Sequence, residues 1–146
     1  MPTTHAHIVP ADPAVRELFD AAAAVLQRSY SPYSHFKVGA ALRGADGKVY
    51  AGANVESAAY PQSSCAEASA ISVMIAGGER TIVEAVVLCE TEELSTCCGG
   101  CRQRLREFVR DQDVAIHFGN PGGLLATFTL GELLPASFGP EHLGIR

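Results

Sequence analysis

The sequence predicts an α/β fold of three layers, α/β/α, on one mixed five-stranded sheet. Three observations predict it. Apolar residues recur at helical spacing in some segments and at strand spacing in others, and the two kinds alternate through the middle of the chain. Residues 36–54 read as two strands joined by a tight turn, which makes an antiparallel pair. Residues 82–90, IVEAVVLCE, are β-branched and almost wholly apolar, the pattern of a central strand covered on both faces.

Asp12-Pro13 is a helix start, with an N-cap followed by proline in the first turn. Val15, Leu18, Phe19, Ala22, Val25 and Leu26 then define an amphipathic helix over 13–28, which SPYS breaks. Phe36, Val38, Ala40 and Leu42 alternate with Lys37, Gly39, Ala41 and Arg43, so 36–42 reads as a strand with one buried face. GADG (44–47) turns the chain and KVYAGAN returns it. A helix runs from Cys65 to Ala76 and stops at Gly77-Gly78. After the central strand, a helix over 99–110 turns Leu105, Phe108 and Val109 inward. Strands at 114–119 and 124–130 and a short terminal helix at GELLP complete the order α-β-β-α-β-α-β-β-α.

Bulk properties narrow the function. With 146 residues, 47% of them apolar and 18% charged, the chain has the make-up of one globular domain with a core. No apolar run reaches the length of a membrane span. The N-terminal MPTTHAHIVPADP lacks the basic and apolar regions of a secretory signal and reads as a loose lead-in, so the expected compartment is the cytoplasm. A net charge of −5 with only two lysines argues against nucleic acid as a partner and for a small, weakly polar substrate. Arg102, Arg104, Arg106 and Arg110 cluster, at a spacing that decorates a helix surface.

Five cysteines, an odd number in a chain of cytosolic character, favour metal or catalytic thiols over a disulfide framework. Cys98 and Cys101 form a C-x-x-C, a spacing that redox proteins share with metal sites. The pair falls where a strand gives way to a helix, and Cys65 opens another helix. Thiolates at two helix N-termini on one side of a sheet can converge, favoured by the helix dipoles and free N–H groups. Three ligands would leave a tetrahedral zinc one open position, the mark of a catalytic site. Cys89, inside the buried strand, reads as a small apolar filler. Cys97, adjacent to Cys98, is poorly placed to share its metal. Glu67 lies two residues after Cys65, on the first helical turn. There a carboxylate can exchange protons with a water and a substrate without ligating the metal.

CAE at 65–67 with CGGCRQ at 98–103 resembles the small zinc-dependent cytidine deaminases. The resemblance extends to SPYSHFKVGAAL (31–42), GANVESAAYP (52–61) and ELLPASFGP (132–140), in order along nearly the whole chain. It implies a single cytidine deaminase domain over 1–146, with 1–11 a lead-in, and a cytidine-deaminase-like sheet. It implies one zinc per subunit on Cys65, Cys98 and Cys101, and Glu67 as the catalytic proton shuttle. It implies hydrolytic deamination of cytidine and 2′-deoxycytidine in pyrimidine salvage. Asn54 and Glu56 would bind the sugar hydroxyl, Phe36 would wall the nucleoside, and the Ala66 N–H would meet the pyrimidine carbonyl. Phe138 resembles an aromatic inserted into a neighbouring subunit's site, which implies a homotetramer with no nucleic-acid or membrane partner.

The chain departs from that pattern twice. Ala68 stands where many members carry arginine, and Cys97 where proline is usual. Two other readings share the cysteines. A deaminase of another cytosine nucleoside, such as blasticidin S, would differ at the sugar, whereas NVE (54–56) keeps the nucleoside pattern. A non-catalytic, zinc-stabilised interaction protein would have no use for Glu67. His35, His117 and His142 are not expected to be ligands.

Overall fold

The computed structural model describes residues 6–145. Helix α1 (Pro13–Leu26) starts on Asp12, whose carboxylate accepts the Ala14 N–H at 2.8 Å. Strands β1 (Val38–Gly44) and β2 (Val49–Ala53) form the hairpin, and Gly47 supplies its left-handed turn residue. Helix α2 (Ala66–Ala76), strand β3 (Ile82–Cys89), helix α3 (Gly99–Phe108), strands β4 (Ala115–Asn120) and β5 (Gly123–Thr129) and helix α4 (Leu130–Leu133) follow. The strands form one five-stranded sheet in the order β2-β1-β3-β4-β5. Only the β3–β4 pair is parallel, because α3 makes the crossover between them. The expected mixed sheet and element order are both present.

Each face of the sheet carries its own core. On one side Leu18, Phe19, Ala22 and Leu26 of α1 pack on Ala41, Val86 and Leu88. On the other, Ala66, Ala70 and Met74 of α2 and Cys101 and Leu105 of α3 pack on Ala40, Leu42, Ala85 and Val87. Alternate residues of β1 and β3 thus serve opposite helix layers, which gives three layers.

This corrects the reading of β1 as a strand with one buried face. Ala40, Ala41 and Leu42 are all fully buried. The small Gly39 and Ala41 looked like a polar-side alternation, but they are the close-packing positions under α1. Phe36 stands outside the strand, which begins two residues later. The cluster of arginines is solvated only in part: Arg104 and Arg110 are exposed, whereas Arg102 and Arg106 are not. Arg106 is 4% exposed and pairs with Glu141, and Arg102 binds three groups of neighbouring segments. Of the lead-in, Ile8 pairs with Leu124 through two backbone hydrogen bonds, at 2.9 and 2.8 Å, while residues 1–5 lie outside the described residues. Two short 3-10 turns, Tyr60–Gln62 and Pro140–Leu143, were not expected from the pattern.

Gly52 seats the site-bearing helix. A Cβ there would stand 2.4 Å from the Ala70 amide nitrogen and 2.7 Å from the Ser69 carbonyl carbon, both backbone atoms of α2. A methyl group can be accepted only by lifting α2 off β2. Gly52→Ala should therefore destabilise the fold by about 1–3 kcal/mol, the usual cost of overpacking. Calorimetry would show this as a lowered Tm, and an unchanged Tm would contradict the close seating.

Candidate active site

The site lies where the N-termini of α2 and α3 meet beside the end of β3. Cys65 is the N-cap residue of α2 and Cys98 that of α3, and neither caps with its side chain. Both thiols are thereby free to turn toward one point. Cys101, one turn into α3, completes the group, and the three Sγ atoms lie within 4.8 Å of one another. Sulfurs about 2.3 Å from a tetrahedral zinc stand about 3.8 Å apart, so the cluster has the right size. Soft thiolates at two helix starts are also the right chemistry. The backbone N–H of Cys101 is the main influence holding the Cys98 thiol below its usual pKa. Burial pushes the Cys65 and Cys101 thiols up, so these two would be deprotonated by a metal rather than by their surroundings.

Among the described residues, Cys89, Cys97, His117 and His142 are not part of this cluster. Cys97 is buried and raised to about 11 by burial, and Cys89 is likewise buried and raised. His117 is held on β4 by Glu84 (2.8 Å) and Thr127 (2.7 Å), and His142 stacks on Phe138. Among the described residues, Cys65, Cys98 and Cys101 form the one such metal-binding group.

Glu67 projects from the first turn of α2 and is 4% exposed. Burial is the chief influence on its carboxyl and raises its pKa, while the charge of Arg104 pulls the other way. A carboxyl in such a place can hold a proton as well as release it.

A cavity of about 360 Å³ opens beside the cysteines. Its lining brings together Phe36, Asn54, Glu56, Cys65, Ala66, Glu67 and Cys98. Ala66 is the first residue of α2, so its N–H has no carbonyl four residues back within the helix. The Asn54 Oδ1 accepts from the Val38 N–H (2.9 Å) and from Ser29 Oγ (2.5 Å). Its Nδ2 donates to the Phe36 carbonyl at 2.8 Å, which leaves one amide hydrogen. The Glu56 Oε1 accepts from the Tyr33 and Ser34 N–H groups, both at 3.0 Å, and Oε2 accepts from Ser34 Oγ. These bonds, with Ser34 the largest influence, hold Glu56 below the usual carboxylate range. One donor and one ionised acceptor therefore share the cavity wall. Phe36, 41% exposed, forms another part of that wall.

Phe138 is not in this cavity. It is 58% exposed and lies in the C-terminal segment, where its carbonyl accepts from Gln103 Nε2 at 2.9 Å. Sequence reasoning passed over Ser29 and Ser34, which set the positions of Asn54 and Glu56. Ser34 closes the SPYS segment (31–34), which read as a helix breaker and as part of the resemblance, and Ser29 lies two residues before it.

The description "Cytidine and deoxycytidylate deaminase zinc-binding region" belongs to a family whose pattern matches residues 2–98 of this chain. The chain belongs to that family. A cytidine deaminase of Halalkalibacterium halodurans is 39% identical over 115 residues, covering 79% of this chain and 86% of the relative. One from Sporosarcina psychrophila is 37% identical, with 80% and 85% covered. The crystal structure of cytidine deaminase from Burkholderia pseudomallei is 38% identical and superposes with a TM-score of 0.76, over 84% of this chain and 97% of that one. The Mycobacterium leprae enzyme gives 36% identity and a TM-score of 0.73, over 85% and 99%. Zinc is the cofactor of this cytidine deaminase family member, and the three-cysteine cluster is positioned to bind a metal ion.

Proposed function

We propose that this chain catalyses the hydrolytic deamination of cytidine and 2′-deoxycytidine to the uridines and ammonia, as a step of pyrimidine salvage. The observation that carries the reading is the joining of three parts in one cavity. A three-thiol metal cluster, a buried carboxyl and a donor–acceptor pair of sugar-binding type all border it.

Cys65, Cys98 and Cys101 would hold zinc, whose Lewis acidity supplies the polarisation that makes water nucleophilic at neutral pH. Every other task falls to the chain. Asn54 donates its remaining amide hydrogen to a sugar hydroxyl, and Glu56 accepts the hydroxyl's proton. The Phe36 ring covers the nucleoside and excludes bulk water. The Ala66 N–H donates to the pyrimidine carbonyl, which sets the ring so that C4 and N3 face Glu67. As water adds to C4, the Glu67 carboxylate takes its proton and gives it to N3. The same carboxyl passes the second proton to the departing amino group. The C4–N bond breaks, ammonia leaves, and water's oxygen becomes the new carbonyl.

Residues 1–146 form a single deaminase domain in this reading. The chain acts in the cytoplasm, in keeping with its five free thiols and with the lack, among the described residues, of any helix long and apolar enough to cross a membrane. It assembles as a homotetramer in which Phe138 enters a neighbouring copy's site. The exposed rings of Tyr33, Phe36, Tyr60 and Phe138 support such an assembly.

Sugar recognition gives the test against rival cytosine compounds. Glu56→Gln should lower kcat/KM for cytidine by about 10–100-fold, since a hydrogen bond to a charged group contributes about 1.5–3 kcal/mol. The same variant should treat 3′-deoxycytidine as the wild type does. Equal losses on both compounds would remove Glu56 from sugar binding. Turnover of blasticidin S in preference to cytidine would replace the substrate.

A further inference from the structure

The zinc site poses a charge problem. Three thiolates and one dication sum to minus one, and a negative site is a weaker electrophile. Ala68, directly after Glu67, carries no charge to offset it. The two helix N-termini contribute partial charges only.

Helix α3 carries three arginines, and they do different things. Arg102 is spent on the protein frame, with Nε on the Cys97 carbonyl (2.9 Å), Nη1 on the Leu133 carbonyl (2.7 Å) and Nη2 on Thr96 Oγ1 (2.8 Å). Arg106 is buried against Glu141 and Ser137. Arg104 alone of the three turns to the sulfurs. It sits three residues after Cys101, on the same helix face, and its side chain runs back toward the helix N-terminus. Its Nη1 lies 3.9 Å from Cys101 Sγ, at the long end of an N–H···S contact. A Cβ at Gly100 would stand 3.5 Å from the same nitrogen and 4.0 Å from Cys98 Sγ, ordinary contact distances, so that position lies beside both groups.

We propose that Arg104 is the positioning and charge-balancing residue of the zinc site, donating to the Cys101 thiolate and offsetting the surplus negative charge. The proposal rests on the zinc reading above. A guanidinium suits the role because it stays charged at all working pH and its N–H groups make charge-assisted bonds. Groups that hydrogen-bond to metal ligands commonly account for 10–100-fold in metal affinity. Arg104 is solvent-exposed, so its effect should weaken with salt.

The test compares wild type, Arg104→Gln and Arg104→Lys as folded, zinc-loaded proteins. Zinc content is measured first, then zinc affinity by competition with a chromophoric chelator. The thiolate-to-metal charge-transfer band is then recorded after cobalt(II) replaces zinc. The glutamine variant should bind zinc about 10–100-fold more weakly. Its cobalt band should move to lower energy, because a thiolate that loses a donor gives up its electrons more easily. The lysine variant, which keeps the charge, should fall between. Wild-type affinity in the glutamine variant would overturn the proposal. So would equal zinc loss from both variants with the band unmoved, the result expected if Arg104 only supports the fold. A wild type that binds no zinc would overturn the zinc reading as well.

Discussion

Glu67→Gln should keep its zinc and lose its turnover, by roughly 10²–10⁴-fold, the contribution of a positioned acid–base group. Glutamine has the same shape, so the first turn of α2 and its packing should survive. It cannot take a proton from water or deliver one to N3. The position is built for proton traffic. The carboxyl is 4% exposed, lines the cavity and is raised by burial. A surface Glu favouring a helix N-terminus would instead be exposed and dispensable. Metal analysis beside a steady-state assay checks the prediction. Retained turnover would remove Glu67 from the chemistry, and loss of zinc would make it a structural residue.

Cys101→Ser should lose zinc, activity and stability together. Cys101 is fully buried, packs in the core with Ala66 and Leu105, and would be the ligand contributed from within α3. Serine keeps the volume but offers a hard, poorly ionised oxygen in place of a soft thiolate. The loss in zinc affinity should exceed the 10–100-fold typical of groups that only support a ligand. A metal that binds only the folded state stabilises it by about 4 kcal/mol at a thousand times its Kd. A chelator should therefore lower the Tm of the wild type and leave that of Cys101→Ser unchanged. Equal chelator sensitivity in both proteins would contradict the ligand assignment.

The metal cluster was legible because each of its parts carries a local signal, although Cys65 lies 33 residues before Cys98. C-x-x-C at one helix start and a third cysteine at another leave few ways to place three thiols, and the fold brings them within 4.8 Å. The order of elements was legible from periodicity for the same reason. What the sequence hid depends on contacts distant along the chain. Ala41 of β1 looked like the alternate face of a half-exposed strand, and only the seating of α1 above it shows it to be core. Arg102, Arg104 and Arg106 have one side-chain type and equal spacing, yet Arg102 ties the loop before α3 to Leu133, Arg104 reaches the Cys101 sulfur and Arg106 pairs with Glu141. Arg104 finds its partner three residues back, whereas Leu133 and Glu141 lie 31 and 35 residues from Arg102 and Arg106, so the even spacing alone does not separate the three. Asn54 alone resembles a turn residue, and its bridge to Phe36, Val38 and Ser29 becomes visible only when the strands pair.

Cytidine mixed with the purified, zinc-loaded chain, followed by ultraviolet absorption and by ammonia release, is the measurement to make. Conversion to uridine with one ammonia per turnover, absent in Glu67→Gln, is the predicted result. No conversion by a wild type that carries its zinc would contradict the deaminase reading. The three cysteines would then hold a fold rather than a reaction.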